Sequence, residues 1–502
     1  MTAHVVAELR RRIFGRSLSQ KVAVNTVAQM GGRIFAGLAG VVSVAATTRY
    51  LSIQDVGTLL TAFTFASFFL VGAQLGVGTA GARLLAWRPE ETRRIVASIA
   101  LVSTVTALVL AGCAYLAAQV VYPGPEHSLL RTAILIFLSQ LLPNGPKVAA
   151  GACFVARQQI VIATVTAAVA RAMSLALILG AIELDAGLLW ISVATASAAV
   201  LDGLLGAGIA VRMVGLGRPS LRTGMGVIKA ALPLSAILLI NIFYFRLDLI
   251  LLSLLSSKRE VALYGVSYKL IDFLFFLPSM FMVTLFPVIA RLAPTSERLH
   301  ALVQKAFTTV QLAALPVVVL GLYAGDILEV LAGSSYRTAA PILQLLLISL
   351  GLSFLPGVLG NVLVALSRQR GLLVVSCTVL ASNVALNLVL IPALDATGAA
   401  IVMVMTESLS LAAMLWLYSH VAKRPSFYKP GRTLLAAVAM ALVMAVRFVP
   451  GLPAAGPLAS AIIGTAGFGV YLMVLYKLQA LPEFALDRTP LRRFRRPASV
   501  EG

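Results

Sequence analysis

Nine ionisable side chains sit inside stretches that otherwise read as hydrocarbon. Arg33, Lys147, Arg171, Arg246 and Lys269 are cations, and Asp202, Asp248, Asp272 and Glu407 are acids. A charge at the centre of a bilayer costs at least about 2.5–3.5 kcal/mol, so each should face a cavity or a partner. Nine of them predict a wet interior. Spacing constrains several. The stretch NIFYFRLDLILLSLL, from Asn241, puts Arg246 and Asp248 two residues apart. On a helix that is roughly 200° of rotation, so they cannot share a face and one needs a partner on another helix. Lys269 and Asp272 are three apart and can bridge locally. Arg33, in AQMGGRIFAG, has no acid nearby in sequence. Gly31 and Gly32 beside it remove side-chain bulk, so a bulky ligand or another helix can approach closely. A guanidinium is the side chain best shaped to fork onto the oxygens of a pyrophosphate. The five cations are therefore candidate substrate-binding groups of a cationic cavity. The four acids are candidates for ion coupling or for bracing. Lys147, Arg171 and Asp202 lie at similar depth and can equally form a structural cluster. Asp248 can brace the bundle, and Glu407 can partner an arginine across its lobe.

The elements that must hold these charges are membrane helices. Of 502 residues, 60% are hydrophobic and only 12% are charged. A soluble chain would carry about 25% charged residues. Apolar runs of 20 or more residues recur from end to end, each long enough to cross a hydrocarbon core of about 30 Å. Their length, without ten-residue alternation, excludes a β-barrel. The expected fold is all-α and polytopic, with fourteen spans between residues 22 and 477. The net charge of +21 does not imply a nucleic-acid partner, because membrane proteins collect Lys and Arg in cytoplasmic loops. With the N-terminus inside, 29 of the 40 Lys and Arg fall in inside segments and 6 in outside segments. Both termini are therefore expected in the cytoplasm.

Basic linkers divide the series into six, six and two helices. The expected organisation is a basic amphipathic N-terminus (1–21), a first six-helix lobe (22–213), a linker (214–228), a second lobe (229–422), a linker (423–432), two further helices (433–478) and a basic tail (479–502). VVAELRRRIFGR in the N-terminus reads as an interfacial helix, not a cleaved signal. Cys113, Cys153 and Cys377 lie in apolar runs without CxxC spacing and read as small core residues. The four histidines are scattered, so neither a metal nor a cofactor is expected. Prolines within spans, such as Pro316 and Pro356, can kink helices and free carbonyls.

The two sixes look related. At an offset of 205, SIQDVGTLLTAFTFASFFL (Ser52) meets SKREVALYGVSYKLIDFLF (Ser257), matching Asp55 with Glu260, Val56 with Val261 and Phe63 with Tyr268. Both copies join the first and second helix of their half on one side of the membrane, as a parallel repeat requires. Six stretches in order then resemble Wzx-type polysaccharide flippases of the multidrug/oligosaccharidyl-lipid/polysaccharide exporter superfamily. They are TTRYLSIQDVGTL (Thr47), QLGVGTAGARLLA (Gln74), FRLDLILLSLLSSKREVALYGVSYKL (Phe245), TLFPVIARL (Thr284), VLAGSSYRTAAPILQLL (Val330) and NLVLIPALDATGAAIVMVMTE (Asn387). The resemblance runs from about residue 20 to 422 and leaves the last two helices without a motif. It implies two six-helix lobes around a cavity open to one side at a time. The implied substrate is an oligosaccharide on a polyprenyl pyrophosphate of the undecaprenyl type, for O-antigen or exopolysaccharide synthesis. The implied place is the bacterial cytoplasmic membrane, with a polysaccharide polymerase and other assembly proteins as partners. A lipid II flippase is the closest alternative. A drug/cation antiporter of the same superfamily would need a cavity dominated by acids, whereas here embedded cations outnumber them. A polytopic glycan polymerase, ligase or glycosyltransferase would need a large outside loop or an acidic cluster. The longest outside loops, near 324–338 and 449–457, are short, and no DxD, HExxH, Walker A or GxSxG stretch occurs, so the chain does not read as an enzyme.

Overall fold

The computed structural model describes the backbone of residues 18–74, 76–274, 282, 285–286, 288–449 and 457–482. The expected N-terminal interfacial helix and most of the basic tail lie outside the described residues, as does the loop at 450–456. Every regular element among the described residues is helical. In chain order the helices are α1 (Leu18–Tyr50), α2 (Ile53–Gln74), α3 (Val77–Trp87), α4 (Thr92–Val121), α5 (Ser128–Leu138), α6 (Asn144–Ala156), α7 (Ile160–Glu183), α8 (Gly187–Val214), α9 (Leu221–Leu255), α10 (Lys258–Leu274), α11 (Glu297–Val319), α12 (Ala324–Ala332), α13 (Ala340–Ala365), α14 (Gln369–Ser419), α15 (Pro430–Ala445) and α16 (Pro457–Lys477). Among the described residues, nine helical runs are long and apolar enough to cross a membrane. The protein is a multi-pass membrane protein.

Three of the expected spans show local chemistry that the hydrophobic pattern hides. The fourth breaks into α5 and α6 around a 3-10 turn at Ser139–Leu141, just before Pro143. The eleventh and twelfth form the single run α14, which folds back at Asp395, where φ is 50°. Gly398 follows that reversal, and a Cβ there would run into the Leu390 carbonyl. Only glycine lets the returning helix lie this close.

The repeated motif has a structural basis at its start. The Ser52 hydroxyl accepts from the Asp55 backbone N–H at 3.1 Å and donates to the Asp55 carboxylate at 2.7 Å. At Ser257 the hydroxyl accepts from the Glu260 N–H at 3.3 Å. Ser52 and Ser257 stand 205 residues apart, like the acids they cap. The weak sequence match therefore preserves a helix start, in which the serine satisfies an N–H that the first turn leaves open.

The chain divides into two compact units, residues 1–265 and 266–502. In the first, α2, α4, α5 and α8 bury a core rich in small residues, including Ala62, Ala66, Ala107, Ala114, Ala133 and Ala194, around Phe65 and Phe137. Small side chains let helix backbones approach where lipid supplies no hydrophobic drive. The turns of this unit gather at two ends. The 89–94, 157 and 213–214 segments line one cleft. Opposite, Tyr50 donates to Asp185 at 2.8 Å and accepts from the Gly187 N–H at 2.9 Å.

In the second unit, α15 and α16 pack against the Tyr323 region through Ala436, Met440, Met444, Tyr471 and Leu475. The linker before α15 is docked along α11. The Gln304 amide donates to the Ser426 carbonyl and accepts from the Ser426 N–H, both at 2.8 Å. One face further along, Gln311 does the same to Tyr428, at 3.1 and 2.9 Å. Phe307 lies between the two glutamines and meets Phe427 edge-on at 5.5 Å. Cys153 is buried as expected, but Cys113 and Cys377 are exposed. They sit on outward helix faces, where lipid accepts an apolar thiol as readily as a core does.

Candidate functional site

The embedded charges fall into separate groups. In the first unit, Lys147 on α6, Thr166 and Arg171 on α7, and Asp202 on α8 come together. Lys147 Nζ lies 3.0 Å from Asp202 Oδ2, and Thr166 Oγ1 donates to Asp202 Oδ1 at 2.9 Å. Arg171 lies within electrostatic range of the same carboxylate. At 1.5 Å per residue the three charged groups sit roughly 14–18 Å from the arginine-rich end of their helices, near mid-depth, and Thr166 about 9 Å from it. Lys147 is 32% exposed and Asp202 18%, so the pair is partly desolvated, and each charge depends on the other. Lys147 is thus a neutralised member of a cluster, while the Arg171 residue is exposed. Sequence reasoning put the three charges together but missed Thr166. Threonines that bond their own helix backbone are common in this chain, and nothing in the sequence marks this one.

Arg246 and Asp248 take up the divergent positions their spacing demands. Asp248 is only 1% exposed, whereas Arg246 is half-buried. The Asp248 carboxylate accepts from the Tyr264 hydroxyl of α10 at 3.2 Å. Tyr264 is fully buried and belongs to the same motif-bearing stretch as Arg246 and Asp248, FRLDLILLSLLSSKREVALYGVSYKL. Lys269 and Asp272 are both half-buried on α10. Glu407 is 3% exposed in the returning half of α14. In the same unit Asn387 donates to Asn383 at 3.1 Å, both being fully buried. These two asparagines are further embedded polar groups that a search for charges passes over.

Arg33 lies on α1, and its side chain falls outside the described residues. Its glycine neighbours differ. A Cβ on Gly32 would strike Thr164 of α7, while one on Gly31 would meet nothing within 4 Å. Gly32 therefore serves the approach of another helix, and Gly31 leaves open space. Among the described residues no group of three or more His, Cys, Asp or Glu is placed to hold a metal ion.

The profile of a family described as "Polysaccharide biosynthesis protein" matches residues 18–293, more than half of the chain. The chain belongs to that family. No curated protein sequence matches it. The fold of this family member is similar to that of a lipid II flippase, MurJ, in an inward closed conformation, with a TM-score of 0.75 at 12% identity over 91% of this chain and 100% of the other. It is also similar to an inward-facing multidrug resistance MATE transporter of the MOP superfamily, with a TM-score of 0.62 at 14% identity over 79% of this chain and 98% of that one. A MOP superfamily transporter from Pyrococcus furiosus, whose binding pocket is described as having reverse polarity, gives 0.52 at 15% identity over 80% and 96%. The fold is thus that of polytopic transporters, as the six matched stretches implied.

Proposed function

We propose that this polysaccharide-biosynthesis family member is a flippase. It moves oligosaccharide units linked to polyprenyl pyrophosphate across the bacterial cytoplasmic membrane by alternating access, with both termini on the cytoplasmic side. The observation that carries the reading is the family assignment on a transporter fold whose interior holds charge at mid-depth. Cations accept the pyrophosphate, the sugar crosses among polar groups, and the polyprenyl tail stays in lipid. No bond is made or broken, so the role asked of the residues is binding alone.

The geometry refines the candidate list. Lys147 is held by Asp202, so it contributes to the anion only if that pair opens. Arg33, Arg171, Arg246 and Lys269 remain the proposed pathway cations. Both Asp202 oxygens are engaged. A coupling proton or sodium ion, if one is used, would fall to Asp248, Asp272 or Glu407. The proposed organisation keeps lobes at 22–213 and 229–422, with the last two helices as an addition.

The test is flipping of a polyprenyl-pyrophosphate oligosaccharide in proteoliposomes, with lipid II and a cationic dye as competing cargoes. Transport of the oligosaccharide supports the reading. Transport of lipid II alone would favour the second reading, which rests on the TM-score of 0.75. Proton-driven dye efflux alone would make the chain an antiporter.

A further inference from the structure

The arginine-rich end of the first unit holds a cleft of about 610 Å³ that the transport reading does not use. Its walls come from three places far apart in sequence. They are the start of α4 with the turn before it (Glu90, Glu91, Arg93, Arg94), the α6–α7 turn (Arg157) and the end of α8 (Val214). The arginines are not equivalent. Arg93 Nε donates to the Val214 carbonyl at 2.9 Å, which ties α4 to α8 and fixes the direction of its remaining donors. Arg94 lies 3.8 Å from Glu91, beyond hydrogen-bond distance, so its donors stay available. The Arg157 backbone N–H caps α6 on the Cys153 carbonyl, but its side chain makes no ion pair or hydrogen bond with a described residue, and the residue is exposed. Two acids oppose them. Glu91 is already met by Arg88 at 3.3 Å, which leaves Glu90 as the acid of the cleft without an ion pair among the described residues.

Guanidinium donors converging from two elements, α4 and the α6–α7 turn, suit a phosphate-centred anion, whose oxygens accept forked hydrogen bonds. The surroundings indicate where that phosphate comes from. Trp87 closes α3 immediately before the cleft and is 71% exposed, with Arg83 stacked over its ring at 5.2 Å. Exposed tryptophan marks the head-group level of a bilayer. Leu216, just past Val214, is exposed as well. A basic cleft at head-group depth, flanked by exposed apolar side chains, meets a lipid, with its phosphate inward and its acyl chains along the outer wall.

We propose that this cleft binds the phosphodiester head group of an anionic phospholipid, with Arg94 and Arg157 as the principal ligands. The assignment is independent of which cargo the protein moves.

Trp87 is the reporter. In full-length protein carrying Trp190→Phe and Trp416→Phe it is the sole tryptophan. Reconstitution in phosphatidylcholine bilayers containing either brominated phosphatidylglycerol or brominated phosphatidylcholine then gives the relative affinity from quenching. The expected result is several-fold stronger quenching by the anionic lipid. Arg94→Ala with Arg157→Ala should bring the ratio close to one, since each charged hydrogen bond lost is roughly a tenfold effect or more. Arg222→Ala, an exposed cation outside the cleft, should leave the ratio unchanged. Any of four results would overturn the proposal. One is an equal ratio in the unsubstituted cleft. Another is a ratio that survives loss of both arginines, or that falls as far with Arg222→Ala. The last is loss of the preference on adding inorganic phosphate or pyrophosphate at concentrations too low to screen charge, which would assign the cleft to a free anion.

Discussion

The two units pair charge in different ways. In the first, a lysine meets an aspartate near mid-depth, with one threonine hydroxyl on the second oxygen. In the second, Arg447, just past α15, grips Asp326 of α12 with a fork, Nε at 2.6 Å and Nη2 at 2.9 Å. Arg337 adds a contact to Asp326 at 3.7 Å and one to Glu329 at 2.6 Å, and Ser460 of α16 donates to Asp326 at 3.4 Å. A lysine ammonium is a point charge on a flexible stem and can exchange partners. A forked guanidinium is directional and holds one geometry. The first arrangement suits a group that can rearrange, as the proposed transport cycle requires. The second suits a staple, and its members join α15 and α16 to the 323–339 segment. The glutamine pairs on α11 hold the other end of the same hairpin. Charge in the second unit's C-terminal part is therefore held by a forked contact with several partners, while charge in the first unit's interior is held by a single ammonium and a hydroxyl.

The largest expected effect tests the interior. Arg246→Ala should lower the flipping rate at least tenfold, roughly the effect of one lost charged hydrogen bond, while the protein stays folded by size exclusion. A folded variant that flips normally would make Arg246 a brace like Asp248. Next comes the staple. Arg447 and Asp326 are 14% and 13% exposed, so Arg447→Ala leaves a largely desolvated carboxylate with only the longer contacts of Arg337 and Ser460. It should destabilise the protein by about 3 kcal/mol in thermal unfolding. Arg447→Lys should recover less than half of that, because an ammonium cannot fork.

A smaller effect separates the two kinds of pair most sharply. Asp202→Ala should cost about 2 kcal/mol, less than a fully buried pair, since Lys147 keeps partial solvent access. Adding Lys147→Met should restore most of that stability, because no charge is then stranded. Flipping that also survives in the double variant would show the pair to be structural only. Gln311→Ala removes both partners of the Tyr428 backbone and should cost about 1–3 kcal/mol. The smallest effect belongs to Ser257→Ala, about 1 kcal/mol from the lost helix cap. Ser52→Ala should match it if the two capped starts are equivalent.

Composition and periodicity alone determined that the chain is all-α and lives in lipid, because no other solvent accepts this much apolar surface. Spacing alone determined that Arg246 and Asp248 diverge, since rotation per residue is a property of the helix itself. Order of motifs sufficed for the family. The 205-residue offset was legible because both helix starts use a serine cap with an acid three residues on, Ser52 with Asp55 and Ser257 with Glu260. What the tertiary structure decided is which charges meet. Lys147 and Asp202 stand 55 residues apart, Asp326 and Arg447 stand 121 apart, and no local rule links them. Gln304 and Gln311 left only a faint signal, a seven-residue spacing that puts both on one face. Tyr264 left only its place in the stretch that begins at Phe245, and Thr166 left none. Pairing across helices depends on how neighbouring helices are rotated and how deeply they pack. Those quantities arise from the assembly of many side chains, not from the spacing of any two.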